Sequence, residues 1–273
     1  MRFAFFLSVA FWALFIVAGP VLACSNPSGV PGDMMYSDNY DAFVGCTQNK
    51  GWVLFHEPGS SDGTNDPRGF GIVGHEVSKS TGADPIFVDL PAGTQENDLL
   101  LAVIIKRDDT SLPSQSGWTP VFNQDFGFGA SVRVVILSRL APSSAPSGYN
   151  FDTAGASDII ASIFTISNPD TGNIFNDDAN TQNTWSTRPY LPALSTSVAD
   201  TLLFGVFAAT TSSTFSAPVG YDLELCETQN LGLCVATRAY PTSGAVPQVD
   251  WTGSIPGSLS TWKTVHIALT PSP

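Results

Sequence analysis

The side chains able to do chemistry are few and scattered. Three histidines, His56, His75 and His266, occur with no HxH, HExxH or HxxxH spacing, so nothing presents the paired imidazoles of a zinc site. His266 lies between Val265 and Ile267 on a strand pattern and is expected to face solvent, and His75-Glu76 at a strand end is equally bland. There is no Gly-x-Ser-x-Gly elbow and no glycine-rich phosphate loop. Glycoside hydrolysis would need two carboxylates held at a fixed separation. The nearest candidates are Asp222 and Glu224, on one face of a strand, with Glu227 following Cys226. Alternating acids of this kind are common on exposed faces, and they read as solvated surface. The expectation is a chain with no catalytic residue, no metal and no cofactor, hence not an enzyme.

Binding chemistry fits the residues better. Sugars stack their apolar C–H faces on aromatic rings while Asn, Asp and Gln bond the hydroxyls. The stretch from Asn168 to Pro192 holds such a mixture: Asn176-Asp177-Asp178, then Asn180, Asn183, Trp185, Arg188 and Tyr190. It lacks apolar periodicity and reads as a long insertion between two halves. Trp185, Tyr190, Asn180, Asn183 and Arg188 are therefore the candidate ligand-binding residues, with Trp185 either a platform for a sugar or a cap on an open end of the fold. Trp118, Trp251 and Trp262 lie on or beside apolar strands and are expected in the core.

The elements that must position these groups begin after a targeting segment. Met1-Arg2 is a short positive start, Phe3 to Ala18 is almost unbroken apolar, and Gly19-Pro20 precedes Val21-Leu22-Ala23. This is the grammar of a secretory signal peptide over residues 1–23; the apolar run is short for a membrane span, which needs about 20 residues. Val21-Leu22-Ala23-Cys24 also resembles a bacterial lipobox, to which leucine in the second position is a poor fit. The mature chain would keep 10 basic residues against 24 acidic ones, a net charge of −14. Such a balance, with 13 % charged residues, excludes a basic nucleic-acid binder and a disordered chain. The place of action is expected to be secreted, extracellular or cell-surface, the periplasm included.

Four cysteines remain after the cut, an even number in an exported chain, which favours disulfides over metal ligation. Of three connectivities, spacing prefers Cys24–Cys46 with Cys226–Cys234. The second pair would sit at the mouth of a hairpin turning at Gln229-Asn230-Leu231-Gly232, where facing Cα atoms approach to about 4.5 Å.

Residues 24–58 read as a small disulfide-tied meander, with strands at 32–36, 42–46 and 52–55. The order Cys24…Pro27-Ser28-Gly29…Gly32-Asp33-Met34…Tyr36…Cys46…Trp52 resembles a short module of exported bacterial proteins and phage tail-fibre-type sequences. The resemblance implies a presentation role and no chemistry. The turn before Trp52 departs from that module, Asn49-Lys50-Gly51 standing where Asn-Gly or Asp-Gly is usual. A linker of turn formers follows over 59–68; its Asp62, Asn65 and Asp66 do not match the helix–loop–helix calcium spacing.

The main body, 69–273, alternates apolar with polar residues or runs fully apolar between Gly, Pro, Asn and Asp, without capped helical periods. It also repeats itself. Asp98-Leu-Leu-Leu-Ala-Val-Ile-Ile leads through a Thr/Ser/Pro loop to Gly117-Trp118, and Asp200-Thr-Leu-Leu-Phe-Gly-Val-Phe leads likewise to Gly220-Tyr221. Each half continues with an arginine on a strand (Arg133 or Arg139; Arg238), an aromatic (Phe151; Trp251) and an apolar strand ending in proline (Pro169; Pro271). Two halves, about 86–169 and 190–271, that cannot each hide an apolar face should pack on one another. The expected fold is an all-β, jelly-roll-type antiparallel β-sandwich. Aligning Asp98 with Asp200 predicts inward sets of Leu100, Ala102 and Ile104 in one half and Leu202, Phe204 and Val206 in the other. Pro91-Ala92-Gly93, Asp98-Leu99-Leu100-Leu101, Gly117-Trp118-Thr119 and Trp262…Ala268-Leu269 resemble an uncharacterised, lectin-like domain of exported bacterial and phage proteins.

The function these readings predict is exported, non-catalytic binding or adhesion, with a carbohydrate or other cell-surface component as partner. A structural subunit of a surface layer, appendage or phage-type fibre, associating with its own copies, is the alternative, and a glycan-active hydrolase a distant third.

Overall fold

The computed structural model describes residues 34–37, 42–47 and 51–56 and, apart from 83, 109–114, 128–131, 185–187, 213–214 and 254–260, residues 69–273; within 34–56 and 178–184 it describes the backbone. Every described element is a strand, and none of the described residues forms a helix long and apolar enough to cross a membrane. The chain divides into two compact units, 1–67 and 68–273.

In the first unit β1 (Met34–Ser37), β2 (Ala42–Thr47) and β3 (Gly51–His56) form an antiparallel three-stranded sheet in chain order, with Cys46 opposite Trp52. The meander read from the turn residues is there. The expected Cys24–Cys46 pairing, the segment 1–23 and the linker at 59–68 lie outside the described residues.

The second unit carries its first half on β4 (Gly71–Ser80), β5 (Ile86–Asp89), β6 (Leu99–Arg107), β7 (Thr119–Phe126), β8 (Val132–Leu140), β9 (Gly148–Phe151) and β10 (Ile159–Ser167). The second half runs through β11 (Phe175–Thr184), β12 (Tyr190–Leu191), β13 (Leu194–Thr196), β14 (Thr201–Ala209), β15 (Asp222–Thr228), β16 (Gly232–Tyr240), β17 (Gly244–Val246), β18 (Val249–Asp250) and β19 (Trp262–Leu269). One five-stranded sheet has the order β4-β10-β6-β8-β7, the other β11-β19-β14-β16-β15. Position for position these are the same sheet. Each half also lays a short ribbon beside its sheet, β5 with β9 in the first, and β12 with β18 and β13 with β17 in the second. All pairings are antiparallel. Each half supplies one whole layer of an all-β sandwich.

The equivalence reaches single residues. Both outer strands carry a β-bulge at the same place, between Pro120 and Phe122 in β7 and between Leu223 and Leu225 in β15. Beyond the bulge Phe122 and Leu225 both turn into the core. Both central strands are entered through a residue with positive φ, Asn97 (φ 67) and Asp200 (φ 55). Asn and Asp tolerate this left-handed position because their short polar side chains bond locally.

That last pair corrects the expected inward set. Asn97, not Asp98, is the counterpart of Asp200, so the alternation in the first half runs one residue out of the phase read from sequence. Leu99, Leu101, Val103 and Ile105 join Leu202, Phe204, Val206 and Ala208 in the core between the sheets, and Phe164 meets Phe204 edge-on there at 5.2 Å. Leu100, Ala102 and Ile104 lie instead on the outer face, covered by Ile86, Val88 and Phe151 of the first ribbon. Leu203, Phe207 and Ala209 are buried in the same way with Leu191, Leu194 and Val246 of the second ribbons. A strand covered on both faces needs apolar residues at every position, which is why these runs carry no alternation from which phase could be read. Trp251 and Trp262 are buried as expected, and Trp118 is half-buried against the ribbon core.

Polar links fasten the layers. Lys79 Nζ of β4 meets Glu227 Oε2 of β15 at 2.7 Å, and Lys263 Nζ of β19 donates to Gln124 Oε1 of β7 at 2.7 Å. At one end the Arg107 guanidinium binds Asp158 Oδ2 at 2.9 Å and donates across to the carbonyls of Thr210 and Asn230, at 3.0 and 2.8 Å. Cys226 and Cys234 stand directly opposite in the β15–β16 hairpin, Cα atoms 4.0 Å apart, and are joined as a disulfide.

Candidate functional site

The segment read as an insertion is a strand. β11 pairs with β19, Asn180 opposite His266 and Asn183 opposite Lys263, so it is the second half's counterpart of β4 and not an end loop. It escaped the sequence reading because an edge strand with the run Asn176-Asp177-Asp178-Ala179-Asn180-Thr181-Gln182-Asn183 offers no apolar alternation. Trp185 lies outside the described residues, as do the side chains of Asn180 and Asn183. Arg188 is exposed. Tyr190 is half-buried in β12, its ring edge-on to Trp262 at 5.8 Å and its carbonyl accepting a bond from Thr264 Oγ1 at 2.7 Å.

His266, Glu224, Glu227 and Asp84 are each committed to the fold. His266, expected at the surface, is fully buried. It points away from Val265 and Ile267, as the alternation requires, but the face it points to is roofed by β12 and its neighbours. Pro192 offers only a carbonyl, so His266 Nδ1 is the donor to it at 2.8 Å, and Nε2 accepts from the Tyr221 hydroxyl at 2.9 Å. Burial pushes the His266 pKa down to about 4 and raises that of Tyr221. Glu224 accepts from Thr237 Oγ1 and Glu227 pairs with Lys79, while Asp222 is exposed. Asp84 holds the backbone N–H groups of Thr153 and Gly155 at 2.8 and 2.9 Å; these bonds, the one to Thr153 foremost, set its pKa below the usual carboxylate range. No group of three or more His, Cys, Asp or Glu among the described residues is placed to hold a metal ion.

What remains available is a feature that occurs twice. Trp118 N–H donates to Gln115 O at 3.1 Å across a turn whose third residue is Gly117 (φ 78); Tyr221 N–H donates to Pro218 O at 3.0 Å across the same turn with Gly220 (φ 82). Glycine takes this φ without the steric cost of a Cβ. It also makes room, since a Cβ on Gly117 would lie 3.1 Å from Arg139 Nη1 and one on Gly220 3.6 Å from Arg238 Nη1. Arg139 and Arg238 end the equivalent strands β8 and β16 on the outer faces. Arg139 lies 4.9 Å over the Tyr149 ring, which Trp118 meets edge-on at 5.2 Å. Arg238 lies 5.9 Å from the Tyr221 ring and 5.6 Å from Tyr240. Both arginines are half-buried. The sequence held the signal, Gly-aromatic followed by a strand arginine in each half, but gave it no function and left Arg133 as an alternative. Arg133 is bound to Asp125 and Asn123, which leaves Arg139 as the counterpart of Arg238. Aromatic walls beside a guanidinium can hold a ligand. No protein-family model, curated protein or solved structure matches the chain.

Proposed function

We propose that this chain is an exported, non-catalytic binding protein that recognises a carbohydrate on a surface. The observation that carries the reading is the repeated turn, arginine and aromatic set on the outer faces. The half-buried rings of Trp118, Tyr149 and Tyr240 give a sugar a wall to stack on at little entropic cost, and each polar group beside them adds orientation. The signal-peptide pattern and the even cysteine count support export. The site first read at Trp185 is not needed for this reading.

The test is a panel of immobilised glycans probed with the chain beginning at Cys24, alongside its native mass at several concentrations. Saturable binding to a subset of glycans by a species of constant mass is the expected result. No glycan binding together with concentration-dependent assembly would replace it by the structural-subunit reading.

A further inference from the structure

From Arg139 and Arg238 we infer two equivalent binding sites per chain for the carboxylate of an acidic sugar, one on each outer face. This rests on the carbohydrate reading above and names its ligand class. Five other basic side chains of the described residues, Lys79, Lys106, Arg107, Arg133 and Lys263, each hold an oxygen of a carboxylate, amide or carbonyl. Arg139 and Arg238 hold none: among the described residues their guanidinium groups make ring contacts but no hydrogen bond or ion pair. In a chain with 24 acidic residues and net charge −13, two half-buried arginines stand at the same place in both halves with ring contacts and no carboxylate. Stacking on tyrosine holds the planar fork in place, so little side-chain freedom is lost when it binds a planar, two-oxygen anion. The neighbouring half-buried rings, Trp118 and Tyr149 in one half and Tyr240 in the other, supply apolar walls for a sugar ring. A chain this acidic repels anions at a distance, so selectivity must come from the short-range fork itself.

The experiment is calorimetric titration of the chain beginning at Cys24 with tetragalacturonic acid, its fully methyl-esterified form and a tetraglutamate peptide. The expected result is two sites per chain for the acid. Arg139→Gln should leave one site, and the Arg139→Gln, Arg238→Gln double variant should bind at least tenfold more weakly. Arg139→Lys, which keeps the charge and loses the fork, should also lose its site, and thermal melts report whether each variant is folded. Should a glutamine variant not fold, the lysine variant and the ester carry the test. Equal binding of acid and ester, or a folded double variant that binds like the wild type, overturns the inference. Binding of the peptide as tightly as the sugar overturns the ligand class. Binding of neutral glycans alone sinks these sites while the wider carbohydrate reading stands, whereas binding of no glycan at all sinks both.

Discussion

Pro169 and Pro271, which close the two halves, face each other across an isolated antiparallel bridge. Asp170 N–H donates to Thr270 O and Ser272 N–H donates to Asn168 O, each at 2.9 Å. Exchanging the halves (168 for 270, 170 for 272) turns one bond into the other, so a local two-fold passes between the prolines. Proline is tolerated at this position because the facing residues lie between the two hydrogen bonds and need no N–H. The same relation runs through the sheets, which share one strand order, one bulge and one left-handed entry residue.

The sandwich should stand or fall on contacts between halves. Phe164 and Phe204, both fully buried, meet edge-on at the centre of the core. Either Phe→Ala change should cost about 3–5 kcal/mol. In a double-mutant cycle by guanidinium denaturation the pair should couple by about 0.5–1.5 kcal/mol. Additive single changes would mean that the two rings do not touch in solution.

His266 should make stability fall in mild acid. Its pKa is about 4 when folded and buried, against about 6.5 in an unfolded chain. Between those values the unfolded state binds the extra proton, so the neutral, doubly bonded imidazole stabilises the fold fully above pH 6.5, and that stabilisation is lost as pH falls toward 4. The loss is on the order of 3 kcal/mol. His266→Gln should be less stable at pH 7 but show a shallower decline between pH 6.5 and 4. Parallel declines for variant and wild type would mean that the histidine is solvated or already charged.

Two glycines should respond oppositely to a methyl group. A Cβ on Gly148 would come within 2.4 Å of Val88 O and 2.5 Å of Phe87 Cζ, and a backbone carbonyl inside a ribbon cannot step aside. Gly148→Ala should cost about 1–3 kcal/mol. At Gly71 nothing lies within 4 Å and φ is ordinary, so Gly71→Ala should be neutral or gain about 0.4–1 kcal/mol by restricting the unfolded chain. Thermal melts of both variants check this, and a neutral Gly148→Ala would contradict the close pairing of β5 with β9 in the first ribbon.

Much of the architecture is legible in the chain because turns and apolar runs are local signals. Gly117-Trp118 and Gly220-Tyr221 mark equivalent turns, Cys226 and Cys234 mark a hairpin, and the strand at 201–209 is bounded by Asp200 and Thr210. What escapes is whatever depends on a neighbour. β11 is polar and is recognisable as a strand only beside β19. The phase of β6 is hidden because both its faces are covered. His266 looks exposed until the segment carrying Pro192 is laid over it. For the site, residue type alone favoured the Asn- and Trp-bearing segment near 180. The outer-face arginines became visible only when the structure placed each on a tyrosine and left each without an acid.

The central claim is that this sandwich holds a sugar without transforming it. Its most direct measurement is made on one sample, in which an oligosaccharide selected from the glycan panel is brought to binding equilibrium with the chain beginning at Cys24, released by denaturation, and sized by mass spectrometry. The account predicts saturable binding and recovery of the oligosaccharide at its original length after prolonged incubation. Shortened or modified sugar that accumulates with time, in proportion to protein, would contradict it.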